Sequence, residues 1–395
     1  MGAKVTGDPE VADVVYLDYN ATAPLRPEAL EATAAALCSV GNASSMHHPG
    51  RDAATRVDHA RRQLADLLDC SPGELIFTSG ATEANNLALR AACARGGLLV
   101  TSAVEHPAVL ETARAVTAER SDSLIVLPVD SDGMVDFVPL ESTLRNRDVS
   151  LISVMLANNE TGVLTNLAPI IEAAHEVGAL VHTDATQYAG RLPLDLSELD
   201  VDLLSLSAHK FGGPQGVGAL FVRRGAPLPH QPLLVGGGHE RGWRAGTLNV
   251  AGIVGLGAAA EAARKQLEQE ALCVGELRAA LETALLAQVD DCRINGGRVA
   301  RLPGVTSVTF PGAPADAVLA AMPHVAASDG SACSSGAPSP SHVLLAMGHS
   351  RDDADSTVRF SLGYATTERD VERAVEAVVQ AVRNVRAAMS ATSGP

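Results

Sequence analysis

Between residues 50 and 210 the chain repeats one pattern, a short apolar run followed by a longer stretch with helical spacing. Apolar runs fall at 75–77, 98–100, 151–155, 180–182 and 203–206. Each is too short for a helix, and its largely apolar character suits a strand covered on both faces. Between the runs, Val57, Ala60, Leu64, Leu67 and Leu68 recur at helical spacing, as do Leu167, Ile170, Ile171 and Ala174. This alternation predicts an α/β fold, with a mostly parallel sheet flanked by helices and joined by right-handed crossovers.

Beyond about residue 260 the pattern changes. A long helix is predicted over 257–287, with Leu267, Ala271, Val274, Leu277 and Leu281 on one stripe. Strands are predicted at 305–310 and 358–362, and a final helix over 368–389. A chain of 395 residues is long for one core, so this region reads as a second, smaller α/β domain. Residues 390–395 read as a frayed tail.

Acidic side chains outnumber basic ones, 46 against 30, for a formal net charge of −16. Such a surface repels a phosphate backbone, so direct DNA or RNA binding is not expected. It suits solubility or a partner with a basic patch. Residues 1–16 lack the basic start and apolar run of a secretory signal. No charge-free apolar stretch reaches ~18 residues. A cytoplasmic protein without a membrane span is expected. The six cysteines are scattered, with no C-x-x-C pair, and predict neither a disulfide framework nor a metal site. Five lie in apolar or helical surroundings. Cys333 instead lies in Asp-Gly-Ser-Ala-Cys-Ser-Ser-Gly at 329–336, a small and polar stretch where a thiol would be exposed and mobile.

Several segments carry chemistry. In Ser-Ala-His-Lys-Phe-Gly-Gly-Pro at 207–214, Lys210 directly follows a predicted buried strand. Burial disfavours the ammonium, and a neutral amine can condense with an aldehyde. An exposed loop lysine is the plain alternative. In His-Thr-Asp-Ala-Thr-Gln at 182–187, Asp184 falls at a strand's C-terminal end, where open α/β sheets bind ligands. An aspartate there can pair with a protonated pyridine nitrogen and keep the ring an electron sink. The same residues fit a metal pair, or a simple cap. Residues 78–86 follow one strand and open a helix whose free N–H groups suit a phosphate, or need only an ordinary cap. His106 would lie at the same sheet edge, as a ring stacked on a flat cofactor or as a structural histidine. The glycine- and arginine-rich segment 236–247 ends at Thr247 and suits a phosphate from a neighbouring subunit. Arg359, inside an apolar strand, needs an anion, either an amino-acid carboxylate or a structural partner.

Taken in order, with Tyr-Leu-Asp-Tyr-Asn-Ala-Thr-Ala-Pro at 16–24 and Asn-Asn-Glu-Thr-Gly at 158–162, these segments resemble the cysteine desulfurases. Those are enzymes of the class V aminotransferase group with the fold-type I pyridoxal-phosphate architecture. The resemblance runs colinearly over about residues 15–385. It implies a large cofactor-binding domain over 26–260. Residues 1–25 and 261–395 would form a small domain carrying the cysteine loop. Lys210 would hold pyridoxal 5'-phosphate covalently, with Asp184 on the ring nitrogen, Gln187 on the ring hydroxyl and His106 stacked on the ring. Ala81, Thr82, Ser207 and His209 would hold the phosphate, joined by Thr247 across a homodimer interface. Asn159 would lie near both ring and substrate. Asn20 would also contact the substrate, and Arg359 would clamp its carboxylate. Cys333 would take sulfur from L-cysteine as a persulfide, leave L-alanine, and deliver the sulfur to acceptor proteins, as in iron–sulfur cluster assembly.

Gly336, Pro338 and Pro340 give the segment after Cys333 a length similar to the long-loop desulfurases, rather than the selenocysteine-preferring group. Ala208, Gln215, Asp329 and Trp243 depart from the commonest family pattern, and none of them removes a catalytic group. A dedicated sulfur donor for tRNA or DNA thiolation, or for a sulfur metabolite, is the main alternative. A selenocysteine lyase and a metal hydrolase built on His182 and Asp184 follow behind it.

Overall fold

A computed structural model describes residues 14–120, 122–330 and 340–392. Cys333 lies outside the described residues. The first half of the chain runs through β1 (Val15–Tyr16), α1 (Pro27–Leu37), α2 (His48–Leu68), β2 (Leu75–Thr78), α3 (Ala81–Cys93), β3 (Leu98–Ser102), α4 (Pro107–Thr117), β4 (Leu124–Leu127), α5 (Val138–Asn146) and β5 (Val149–Ser153). It continues with α6 (Ala168–Glu176), β6 (Leu180–Asp184), β7 (Leu203–Ser207), β8 (Gly218–Val222) and α7 (Val250–Gln288). The remainder holds β9 (Arg293–Asn295), β10 (Val305–Thr309), α8 (Ala315–Ala321), β11 (Val325–Ala326), α9 (His342–Ala346), α10 (Arg351–Asp355), β12 (Thr357–Ser361) and α11 (Glu368–Thr392).

Among the described residues the main sheet has seven strands in the order β2-β8-β7-β6-β5-β3-β4. Strand β8 runs antiparallel to both its neighbours, and the other pairings are parallel. Successive residues of each strand enter opposite cores, as a period of two requires. Leu75 and Phe77 face a core with Val57, Leu64 and Ile253, while Ile76 faces another with Leu87, Ala88 and Val109. The same division separates Leu151 from Ile152, Leu180 from Val181 and Leu203 from Leu204. Covering on both faces is what the short apolar runs predict.

A third core joins β10 and β12 to α11 and the distal part of α7 through Val308, Phe310, Val358, Phe360, Val378 and Leu281. Helix α7 serves two cores: Ile253 to Ala260 pack with the main sheet, Val274 to Leu285 with the C-terminal strands. No helix among the described residues is long and apolar enough to cross a membrane.

Most boundaries fall within one or two residues of the sequence expectation, and three differences are informative. Strand β5 spans Val149–Ser153 rather than 151–155. Ser150 hides its start by bonding the Leu98 carbonyl, and the Met155 N–H leaves the ladder for Glu105 at 2.9 Å. Helix α7 starts at Val250, capped by Asn249, instead of at 257. Its early glycines are poor helix formers but permit close packing: a Cβ at Gly257 would lie 2.5 Å from Ala60 Cα. Helix α11 runs through Ser390 to Thr392, so part of the expected tail is helical.

Candidate active site

The parallel strands end along one edge, and their ends wall a cavity of about 450 Å³. Strand β2 delivers Ala81 and Thr82, and β3 delivers His106. Asn159 comes from the turn after β5, Asp184 and Gln187 from the end of β6, and Ser207, His209 and Lys210 from the end of β7. Nine residues singled out in the sequence therefore line one cavity.

Lys210 ends a 3-10 turn that follows β7 directly. Its amine donates to the carbonyls of Asn20 and Ala21, the latter at 2.8 Å. The side chain is half-buried rather than fully enclosed, because it stands on the cavity wall. Asp184 is buried; its Oδ2 accepts from Asn85 Nδ2 at 2.7 Å and its Oδ1 from the Thr186 N–H at 2.9 Å. Both bonds fix the carboxylate's orientation at the cavity.

His106 caps α4, its Nδ1 accepting from the Ala108 N–H at 3.0 Å. Its neutral ring therefore carries the proton on Nε2. Burial, helped by Lys210 and His342, lowers its pKa against the pull of Asp184. Burial and then the charges of Lys210 and Arg191 push His209 down to about 4, so it too is neutral.

Helix α3 begins at Gly80 with no side-chain cap, which leaves its first N–H groups toward the cavity. Gly80 has φ +152°, a conformation that favours glycine. The buried Asn159 Oδ1, Gln187 Oε1, Asn85 Oδ1 and Thr186 Oγ1 have no partner, though all four residues line the cavity. Unpaired buried acceptors are costly, and a polar ligand would satisfy them. With an amine, a carboxylate and an uncapped helix start, this donor set fits pyridoxal phosphate.

Three expected residues do not line this cavity. Asn20 lies beneath it, where its carbonyl accepts from Gln187 Nε2 at 3.0 Å and from Lys210. Arg359 is only 2% exposed and pairs with Asp18 at 2.8 Å while donating to the Asn159 carbonyl. This is the structural partner that the sequence left open for it, although its Nε remains unpaired. Thr247 is exposed and away from the cavity within the single chain. His182 places Nδ1 2.8 Å from Ser153 Oγ and Nε2 2.9 Å from Ser205 Oγ, which leaves neither nitrogen for a metal.

Sequence reasoning assigned no role to Asn85, Glu83 or Arg191. The Arg191 guanidinium bonds Asn20, the Tyr19 carbonyl and the Lys210 carbonyl, tying the lysine turn to the N-terminal segment. Burial lowers its pKa to about 10, with Arg359 adding to the effect. Asn85 sits inside a segment already marked for phosphate, and its spacing from Gly80 gives no sign that it reaches Asp184.

The class-V aminotransferase family profile matches residues 15–374. The chain belongs to this family. Within it the chain is a cysteine desulfurase: it is 43% identical to the cysteine desulfurase IscS of Anaeromyxobacter dehalogenans (strain 2CP-C), over 94% of this chain and 93% of that relative. Solved structures agree. A NifS-like protein from Rickettsia africae superposes with a TM-score of 0.84 at 31% identity, covering 94% of this chain and 99% of that one. SspA, solved in complex with cysteine, gives a TM-score of 0.77 at 33% identity, over 88% of this chain and 98% of its own. Enzymes of this family use pyridoxal phosphate.

Proposed function

We propose that this cysteine desulfurase binds pyridoxal phosphate in the cavity at the ends of β3, β6 and β7, and moves the sulfur of L-cysteine to Cys333. The observation that carries the reading is the meeting of the Lys210 amine, the Asp184 carboxylate and the His106 imidazole on one cavity. Lys210 would hold the cofactor covalently, with Asp184 pairing with its ring nitrogen and Gln187 with its ring hydroxyl. The uncapped start of α3 at Ala81 and Thr82, with Ser207 and His209, would take the phosphate. Bound pyridoxal phosphate supplies an electron sink for charge at the substrate α-carbon.

The chain's own groups do the rest. The Lys210 amine, once free of the cofactor, takes and returns a proton, while His106 gives up the proton on Nε2 and recovers it. Asn159 orients the substrate, and Asn20 and Arg359 hold Asn159 in place from behind by donating to its carbonyl. The Cys333 thiolate attacks the substrate sulfur, so that L-cysteine and the thiol become L-alanine and a Cys333 persulfide. The sulfur then passes to an acceptor protein. The cysteine complex of SspA supports the choice of substrate, and the IscS relatives support a general donor over a dedicated one. We also infer a cytoplasmic homodimer with Thr247 given across the interface, and a division into residues 26–260 and residues 1–25 with 261–395. The shift of α7 between cores after Ala260 supports that division.

The test is a visible spectrum of purified protein before and after L-cysteine, with peptide mapping of residue 333. A yellow protein whose band shifts with cysteine, alanine release, and a persulfide absent from Cys333→Ser are expected. Lys210→Ala should lower alanine release by about 10³-fold. A colourless native protein, or full persulfide formation in Cys333→Ser, would end the reading.

A further inference from the structure

The segment ending at Thr247 is fastened to the phosphate-facing turn of its own chain by charged pairs. Glu240 accepts the Phe77 N–H of edge strand β2 at 2.8 Å and pairs with Arg61 at 2.6 Å. Further along, Arg244 Nε meets Glu83 Oε1 at 3.0 Å. The other oxygen of Glu83 accepts the Ser79 N–H at 2.8 Å. Glu83 is in the first turn of α3 and lines the cavity beside Gly80, Ala81 and Thr82.

This arrangement contains a conflict. A carboxylate in the first helical turn competes with a phosphate for the same N–H groups and repels its charge. Burial pushes the Glu83 pKa up, but hydrogen bonds from Ser79 and Arg244 outweigh it and hold the carboxyl below its usual range, so it stays charged. Arg244 is the cation in contact with it.

We propose that Arg244 is a positioning residue of the phosphate subsite: it neutralises Glu83 and holds that carboxylate on Ser79, so that the start of α3 is free to take a phosphate dianion. This rests on the cofactor reading above. Glu83 thereby braces the turn through Ser79, and its charge is harmless only while Arg244 is present.

The experiment measures binding of pyridoxal phosphate and of pyridoxal, which lacks the phosphate, to apo full-length protein. Arg244→Ala should weaken pyridoxal phosphate about tenfold, the size of a partly buried charge effect at a helix terminus, and leave pyridoxal unchanged. The loss should shrink as salt rises. Arg244→Lys should keep most of the affinity. Adding Glu83→Gln to Arg244→Ala should restore it to within about threefold, because the offending charge is gone. Arg244→Gln serves in place of alanine if that variant does not fold, with the same pattern expected. Equal losses for both ligands, or no rescue by Glu83→Gln, overturn the proposal while leaving the cofactor reading intact. A wild-type protein that binds no pyridoxal phosphate overturns both.

Discussion

His182 does not line the cavity, yet its burial ties the stability of the fold to pH. It is fully buried on β6 between two serine hydroxyls, and burial pushes its pKa down to about 4 against the pull of the nearby Asp184. The unfolded chain takes up this proton near the ordinary histidine value of 6.5, the folded chain only near 4. Between those values the unfolded state binds more protons, so stability is intact above 6.5 and falls as pH drops toward 4. His209, also near 4, shares the effect. His182→Gln keeps a side chain that can bond both serines and removes the titration. It should flatten the acid limb of a pH–stability profile, by on the order of 3 kcal/mol at pH 4 relative to wild type. An unchanged profile in urea unfolding from pH 7 to 4 would refute this origin. At this scale residue types were readable and partners were not. Lys210, Asp184 and His106 announce themselves at strand ends. That Asn85 would reach Asp184, or Asp18 reach Arg359, depends on a fold that joins residues 341 apart in the second case.

Elements were legible where their periodicity is local and missed where it is not. Strands β2, β3, β6 and β7 stand out because each is an apolar run covered on both faces. Strand β8, Gly-Ala-Leu-Phe-Val, starts on a glycine and pairs antiparallel between β2 and β7, which no local pattern dictates. The start of α7 was hidden by Gly252, Gly255 and Gly257, which weaken a helix in isolation. Their absent side chains let α7 press against α1 and α2, where Gly255 faces Thr33 and Gly257 faces Ala60. Tertiary packing thus overrides propensity. Gly257→Ala gains about 1 kcal/mol in helix propensity but forces a methyl onto the α2 backbone, an overpacking penalty of about 1–3 kcal/mol. A net loss of up to about 2 kcal/mol in unfolding free energy, read as a lower denaturant midpoint at unchanged m, is expected. A stabilised variant would mean that the helices separate without penalty.

Across the whole molecule, the proposed homodimer makes one further demand. If each site takes Lys210 from one chain and Thr247 from the other, neither Lys210→Ala nor Thr247→Asp homodimers should hold the cofactor normally. Hybrids of the two would rebuild one complete site, with pyridoxal phosphate content about half that of wild type. Hybrids no better than their parents would rule out a shared site. The sequence alone determined the α/β alternation, the parallel sheet covered on both faces, and the gathering of reactive residues at strand ends. These follow from short-range periodicity and from position on a strand, and both are local properties. Only the tertiary structure decided which groups meet: Arg359 with Asp18, Glu83 with Arg244, and Asn20 beneath Lys210. Such pairings depend on how separate elements pack, and the spacing of residues along the chain does not encode that distance.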